Sequence, residues 1–237
     1  PPYRKIHTAS HERRTLAAAG IEVPNLYAGF VALAAELLDH QGQLVAIIPR
    51  SFTNGPYFRR FRRLLLDRIG LQQIHVLDSR DVAFADSAVL QENVVIRGVR
   101  GERTAAVVVS SSRSVAEPVT TREVPYSEVV RPDDPEAFIH ITLDEASAEF
   151  ARQVLELPCR LPTLDLSVST GPVVDFRAKE HLRQTPGEDT VPLIFPAHLR
   201  KGSVVWPQTE GKKPNALVRC EATERSLMPS GTYVLVK

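Results

Sequence analysis

The sequence predicts an α/β domain followed by a smaller β-rich domain. Three observations lead there. Leu44-Val45-Ala46-Ile47-Ile48 is a continuous apolar run ended by Pro49, the pattern of a strand buried on both faces between helices. Segments with helical apolar spacing stand on either side of it. From Val168 onward, short apolar runs (VVDF, VPLIF, SVVW, YVLV) alternate with Gly and Pro, as short strands and turns do. There is no internal repeat or low-complexity tract.

Taken in order, residues 4 to 20 are polar and basic and read as a loop with a short helix at 12–19. Pro24-Asn25 opens a clear helix. Its Leu26, Phe30, Leu33, Leu37 and Leu38 share one face at helical spacing, and Gly42 stops it. The 44–48 strand follows. Pro56 is placed to open the next helix, where the missing N–H has no helical partner in any case. Phe58, Phe61 and Leu65 make that helix's apolar side, and Arg59, Arg60, Arg62 and Arg63 occupy the rest. Gln73 to Leu77 reads as a strand. Asn93 to Val99 and Thr104 to Ser110 read as two more, joined through Arg100-Gly101-Glu102 as an antiparallel edge hairpin. Residues 113–166 hold six prolines and eleven of the 28 Asp and Glu. They are expected to form a connector with one helix, from about Leu143 to Leu157, whose start suits Asp144 and Glu145. Residues 167–237 make the second domain.

Composition narrows the function classes. Hydrophobic residues are 43% and charged residues 24%, which excludes bulk disorder. No apolar run approaches the ~20 residues of a membrane span, so no membrane partner is expected. Cys159 and Cys220 lack metal or redox spacing and read as free thiols of a reducing cytoplasm. His7 and His11 stand four apart, but no glutamate lies between them and no third ligand is evident, so no metal is expected. The net charge of +1 hides a segregation. Residues 1–70 carry ten Lys and Arg against five Asp and Glu, residues 71–168 nine against sixteen, and residues 169–237 ten against seven. Two basic ends flanking an acidic middle fit a polyanion held between two lobes.

The chain opens on Pro1-Pro2-Tyr3-Arg4-Lys5-Ile6 and closes on Tyr233-Val234-Leu235-Val236-Lys237, which reads as a strand in progress. Both ends are expected to be interior to a longer protein. PPY is short, but a loop, an amphipathic helix and a buried strand ending in Pro49 follow it. In order and spacing, PPYRKI, NLYAGFVALAAELL, GQLVAIIPRSF, FRRFRRLLL, IHVLD, VAF and ENVVIRG resemble the second half of a class I (Rossmann-like) methyltransferase. The nearest resemblance is to the restriction-modification adenine methylases, whose catalytic loop reads Asn-Pro-Pro-Tyr. SVSTGPVVDFR (167–177) resembles the start of their C-terminal target-recognition domain. The resemblance implies a division into residues 1–112, the second half of the catalytic domain; 113–166, the connector; and 167–237, part of a recognition domain. It also implies S-adenosylmethionine as methyl donor, bound mainly by a segment upstream of Pro1.

The chemistry accounts for that loop composition. The exocyclic nitrogen of adenine is a poor nucleophile because its lone pair is delocalised into the ring. Two acceptors aimed at its N–H bonds favour a localised lone pair. The resemblance implies that the carbonyl of Pro1 is one acceptor and an Asn before Pro1 the other. Pro1 and Pro2 fix φ and hold the loop rigid. Tyr3 would stack on the flipped base, with Phe84 of DVAFAD as a second wall. Arg59, Arg60, Arg62 and Arg63, and in the second domain Arg177, Lys179, Arg183, Arg200, Lys201, Lys212 and Lys213, are candidate contacts to double-stranded DNA. A restriction subunit or fused nuclease domain is a further implied partner. Two alternatives stay open: methylation of RNA or of protein glutamine by a related enzyme, and a non-catalytic DNA-specificity module in which PPY is only a turn.

Overall fold

The computed structural model describes residues 2–77, 92–112 and 118–236. The chain divides into two units, residues 1–158 and 159–237. In the first, the Ser10 hydroxyl accepts from Arg13 N–H at 3.2 Å and starts α1 (His11–Ala18). Asn25 likewise caps α2 (Leu26–Leu37), accepting from Ala28 N–H at 3.2 Å. Then come β1 (Gln43–Pro49), two short 3-10 turns at 50–53 and 56–58, α3 (Arg59–Arg68), β2 (Ile69–Leu77), β3 (Asn93–Arg100), β4 (Ala106–Ser112), β5 (Thr120–Pro125), α4 (Tyr126–Val129) and α5 (Glu145–Leu155). No helix among the described residues is long and apolar enough to cross a membrane.

The five strands form one sheet in the order β1-β3-β2-β4-β5. β3 is antiparallel to both β1 and β2, β2 and β4 are parallel, and β5 is antiparallel to β4. β1, β2 and β4 therefore point one way, and their carboxyl ends, Pro49, Leu77 and Ser112, share one edge. Ile48, Ile74, Val76, Val94, Ile96, Val107 and Val109 build the core with Phe52, Phe61 and Leu65.

The structure corrects four expectations. β3 and β4 are not a hairpin. β3 has β1 on one side and β2 on the other, so β4 lies beyond β2. The link between them crosses the start of β2: a Cβ on Gly70 would meet the Glu102 carbonyl oxygen at 2.2 Å. The antiparallel pair at that end of the sheet is β4 with β5, one strand later than predicted. Nor is 113–158 a free connector, because it supplies β5 and α4, and Val124, Val129 and Ile139 sit in the core. The division falls between Pro158 and Cys159 rather than near 166. Finally, α2 buries the opposite face from the one expected. Tyr27, Ala28, Val31, Ala32 and Ala35 pack inward, while Phe30 is 54% and Leu37 75% exposed. Apart from Gly29 and Glu36 the helix is apolar all round, so spacing could not choose its face.

In the second unit the strands are brief: β6 (Leu182–Arg183), β7 (Thr190–Pro192), β8 (Leu199–Arg200), β9 (Ser203–Val204) and β10 (Ala216–Val218). They form a β6-β10-β7 sheet and a β8-β9 pair. VVDF and YVLV are not strands; the first turns on itself, with Arg177 N–H donating to the Val174 carbonyl. Side chains hold this unit together. Asn215, 2% exposed, donates to the carbonyls of Gln184 and Gln208 at 2.8 Å each and accepts from Gln208 N–H at 2.8 Å. Buried His198 accepts from Phe195 N–H through Nδ1 at 2.9 Å, so its Nε2–H donates to Asn215 Oδ1 at 3.0 Å.

The crossing over β2 gives a direct test. Gly70→Ala forces the Glu102 main chain outward, and we expect a loss of about 1–3 kcal/mol in urea unfolding. A neutral or stabilising effect, the usual result of removing a mid-strand glycine, would contradict the β3-β2-β4 order.

Candidate functional site

Tyr3 lies at the carboxyl edge of the parallel strands, where open α/β sheets place their ligands. Two main-chain bonds position its loop: Ile6 N–H donates to the Pro24 carbonyl at 3.2 Å, and Leu26 N–H to the Arg4 carbonyl at 2.9 Å. The loop is thereby tied to the start of α2. The Tyr3 ring meets the Tyr27 ring at 5.9 Å and 83°, and its hydroxyl donates to Asn93 Oδ1 at 3.5 Å. Asn93 is 3% exposed and pairs with Pro49 on one side and Leu77 on the other. Beside them, Arg50 Nη1 meets Glu92 Oε2 at 3.3 Å, and Arg50 N–H donates to the Glu92 carbonyl at 2.7 Å. Burial raises the Tyr3 pKa, so the phenol stays protonated. The perpendicular contact fixes the ring plane without stacking on it. Pro2 is exposed.

Tyr27 and Asn93 are the positioning residues that sequence reasoning missed. Tyr27 stood on what the spacing marked as the outer side of its helix, and Asn93 was only a strand's first residue. The Tyr27 hydroxyl is buried and makes no hydrogen bond among the described residues. Burial pushes its pKa up to about 12, only partly offset by the nearby Ser51 and Asn25 side chains.

The arginine run is a correction. Arg62 is fully buried and unavailable to any DNA phosphate. Its Nε donates to the carbonyls of Glu136 and Ala137, both at 3.1 Å; Nη1 donates to Phe52 at 3.0 Å and Asn54 at 2.9 Å; and Nη2 donates to Glu136 at 2.8 Å. The guanidinium also covers the Phe138 ring at 5.0 Å. Burial lowers its pKa, opposed by the charges of Glu136 and Asp134. Arg63 donates to the Pro135 carbonyl at 2.6 Å, Arg59 pairs with Glu136 at 2.8 Å and Arg60 pairs with Glu22. Much of the basic charge of residues 1–70 thus meets acidic chain inside the molecule.

Residues 1–83, with the PPY loop, α2, β1, α3 and β2, match the family described as Eco57I restriction-modification methylase. The whole chain is 48% identical over 239 residues to the type II methyltransferase M.PstI of Providencia stuartii, covering 100% of this chain and 47% of that protein. It is 46% identical over 240 residues to the type II methyltransferase M.BsuBI of Bacillus subtilis, with the same coverage of each. Residues 1–83 carry an Eco57I restriction-modification methylase domain, and the chain as a whole is similar to part of two type II methyltransferases. It spans about half the length of the curated relatives it matches. Among solved structures, the type IIG restriction endonuclease BpuSI aligns with a TM-score of 0.43 at 20% identity, over 54% of this chain and 18% of that one, too loosely to bear on the site.

The remaining sequence candidates fall as follows. Pro1 and Phe84 lie outside the described residues. The described strand ends flanking Phe84, Leu77 and Asn93, both lie at the Tyr3 edge. In the second unit, Lys213 is engaged, pairing with Asp175 at 2.9 Å and standing 4.8 Å over the Phe195 ring. Arg183 donates to the Glu180 and Leu182 carbonyls, and Arg177 lies 5.6 Å over the Phe176 ring. Arg200 and Lys201 sit at the exposed β8-β9 turn, where Lys201 and Gly202 have φ of 50° and 77°. Lys179 and Lys212 are exposed. Among the described residues, no group of three or more His, Cys, Asp or Glu is placed to hold a metal.

Two outcomes check this picture. Arg62→Met should cost about 3 kcal/mol or more, because it strands several carbonyl acceptors, whereas Arg60→Gln should cost under about 1 kcal/mol in the same urea titration, its ion pair being exposed. Because the Tyr27 pKa is raised on folding, its contribution is complete below pH 10 and is lost as pH rises from 10 toward 12. Tyr27→Phe should be near neutral at pH 7 and should remove that part of the alkaline loss. A variant with an unchanged alkaline slope would contradict the buried, unpartnered hydroxyl.

Proposed function

We propose that the protein methylates the exocyclic amino group of adenine in duplex DNA, as the modification enzyme of a restriction-modification system acting in the cytoplasm. The observation that carries the reading is Tyr3: a PPY tyrosine, fixed by Tyr27 and Asn93 at the sheet edge where ligands bind, with no ring stacked on it among the described residues. The type II methyltransferases that align along the whole chain support it.

In this reading the target base leaves the duplex, because its amino group is out of reach inside the stack. Tyr3 offers one flat wall and Phe84 the other. The Pro1 carbonyl and the residue before it accept the amino protons, localising the lone pair on nitrogen. No side-chain base is needed, since the methylated nitrogen is cationic and sheds its proton readily. S-adenosylmethionine supplies the methyl group. The Tyr3 edge alone does not fit it: its carboxylate, Glu92, is tied to Arg50, and no glycine-rich turn follows a described strand there. The cofactor is therefore assigned mainly to a segment outside this chain. Residues 159–237 serve target recognition, with Arg177, Lys179, Arg200, Lys201 and Lys212 as candidate contacts and a restriction subunit or nuclease domain as a further partner.

Labelled methyl transfer by the full-length protein, compared across duplex DNA, RNA and protein, tests the substrate class. Label on DNA is expected; label on RNA or protein alone would overturn the proposal. Tyr3→Ala should slow transfer by roughly 10- to 100-fold, the equivalent of ~1–3 kcal/mol of stacking, with little loss of duplex binding, and Tyr3→Phe should restore the rate. Equal losses in transfer and binding would make Tyr3 structural only.

A further inference from the structure

A cleft of about 330 Å³ opens on the first unit beside the Tyr3 loop, lined by Arg13, Arg59, Arg60, Glu22, Tyr57 and Pro24 among others. Its parts are built in place. Arg13 projects from α1 and is held by Nη1 donating to the Val23 carbonyl at 3.0 Å. Arg59 and Arg60 come from the first turn of α3. Tyr57, 55% exposed, stands perpendicular on Phe58 at 5.0 Å. The lining carries three guanidinium groups and one carboxylate.

The cleft is joined to the Tyr3 loop in two ways. Pro24, in its wall, is the residue whose carbonyl holds Ile6, three residues after Tyr3. A run of ring contacts also leads from one to the other: Tyr57 to Phe58 at 5.0 Å, Phe58 to Tyr27 at 5.8 Å and Tyr27 to Tyr3 at 5.9 Å. A ligand in the cleft and a base on Tyr3 would thus be held by one rigid aromatic wall.

We infer that this cleft seats a phosphodiester of the DNA strand, with Arg13 and Arg60 on the phosphate oxygens and Tyr57 against the neighbouring sugar. The inference rests on the DNA reading above and adds a site to it. Guanidinium groups match phosphate geometry, and a seated phosphate fixes the register of the duplex without reading its sequence. Glu22 occupies Arg60 when the cleft is empty. Both side chains are more than one-third exposed, so the pair is weak enough to exchange for a phosphate. Glu22 therefore acts as a competitor for the site.

The test uses the full-length protein and a duplex of random sequence, with affinity measured against salt concentration. The double variant Arg13→Gln, Arg60→Gln should bind more weakly and lower the magnitude of the log–log salt slope by about one. Glu22→Gln should bind several-fold more tightly, since it removes the competitor. This second arm changes an exposed residue, so it reads the site even if Arg13→Gln unfolds the chain. If wild type binds duplex and neither variant shifts affinity or slope, the assignment fails while the DNA reading stands. Wild-type full-length protein that binds no duplex overturns both. Inorganic phosphate alone that binds through Arg13, with the duplex slope unchanged, marks a free-anion site and also overturns the assignment.

Discussion

The guanidinium of Arg62, fully buried among main-chain carbonyls, is the constraint on which the first unit depends. It gathers three pieces of chain that are far apart in sequence: α3, which carries it; residues 52–54, just after β1; and residues 136–137 of the acidic segment. A buried charge is costly unless it is paired and hydrogen-bonded; here four main-chain carbonyls accept from all three guanidinium nitrogens, and the charges of Glu136 and Asp134 favour the cation. Asp134 in turn shapes the loop that supplies two of the acceptors, taking hydrogen bonds from Glu136 N–H at 2.9 Å and Phe138 N–H at 2.7 Å. Ile139 N–H then donates to the Thr53 carbonyl at 2.9 Å. The acidic segment is locked onto the sheet domain instead of linking two lobes.

That arrangement changes what the charge segregation means. An arginine run near an acidic, proline-rich stretch looks in sequence like a polyanion site beside a spacer. In the fold the two are largely each other's partners. Of the run, Arg60 holds only an exposed pair with Glu22, and it faces a common cleft with Arg13.

The legible parts of the fold were those decided by local chemistry. Asn25 and Asp144 announce their helices by capping and Phe61 and Leu65 mark the inner side of α3; Leu44 to Ile48 is a strand as expected, but not one buried on both faces, since β1 stands at one end of the described sheet with Val45 63% exposed. The illegible parts were decided by long-range choices. No pattern in Asn93–Arg100 says that β3 will slot between β1 and β2, and the crossing that permits it depends on a missing side chain at Gly70. The helix from Leu26 is apolar on every face, so only its neighbours select the Tyr27 and Ala32 side. At the candidate site, PPY announced Tyr3. Its supports, Tyr27 and Asn93, could not be read because their roles exist only once a helix start and a strand start converge at the same edge.

The edge that results is a rigid platform: a loop pinned to α2, a tyrosine set by a perpendicular ring and a buried asparagine, and the ends of parallel strands behind it. In the proposed reading, such a platform presents a flat base to a methyl donor, and sequence readout is left to the second unit with its exposed basic turn at 200–202. Nucleoside analysis by mass spectrometry of duplex DNA incubated with the full-length protein and labelled S-adenosylmethionine tests this account most directly. It predicts label in N6-methyladenine alone, and label in a methylated cytosine, or in no nucleoside, would contradict it.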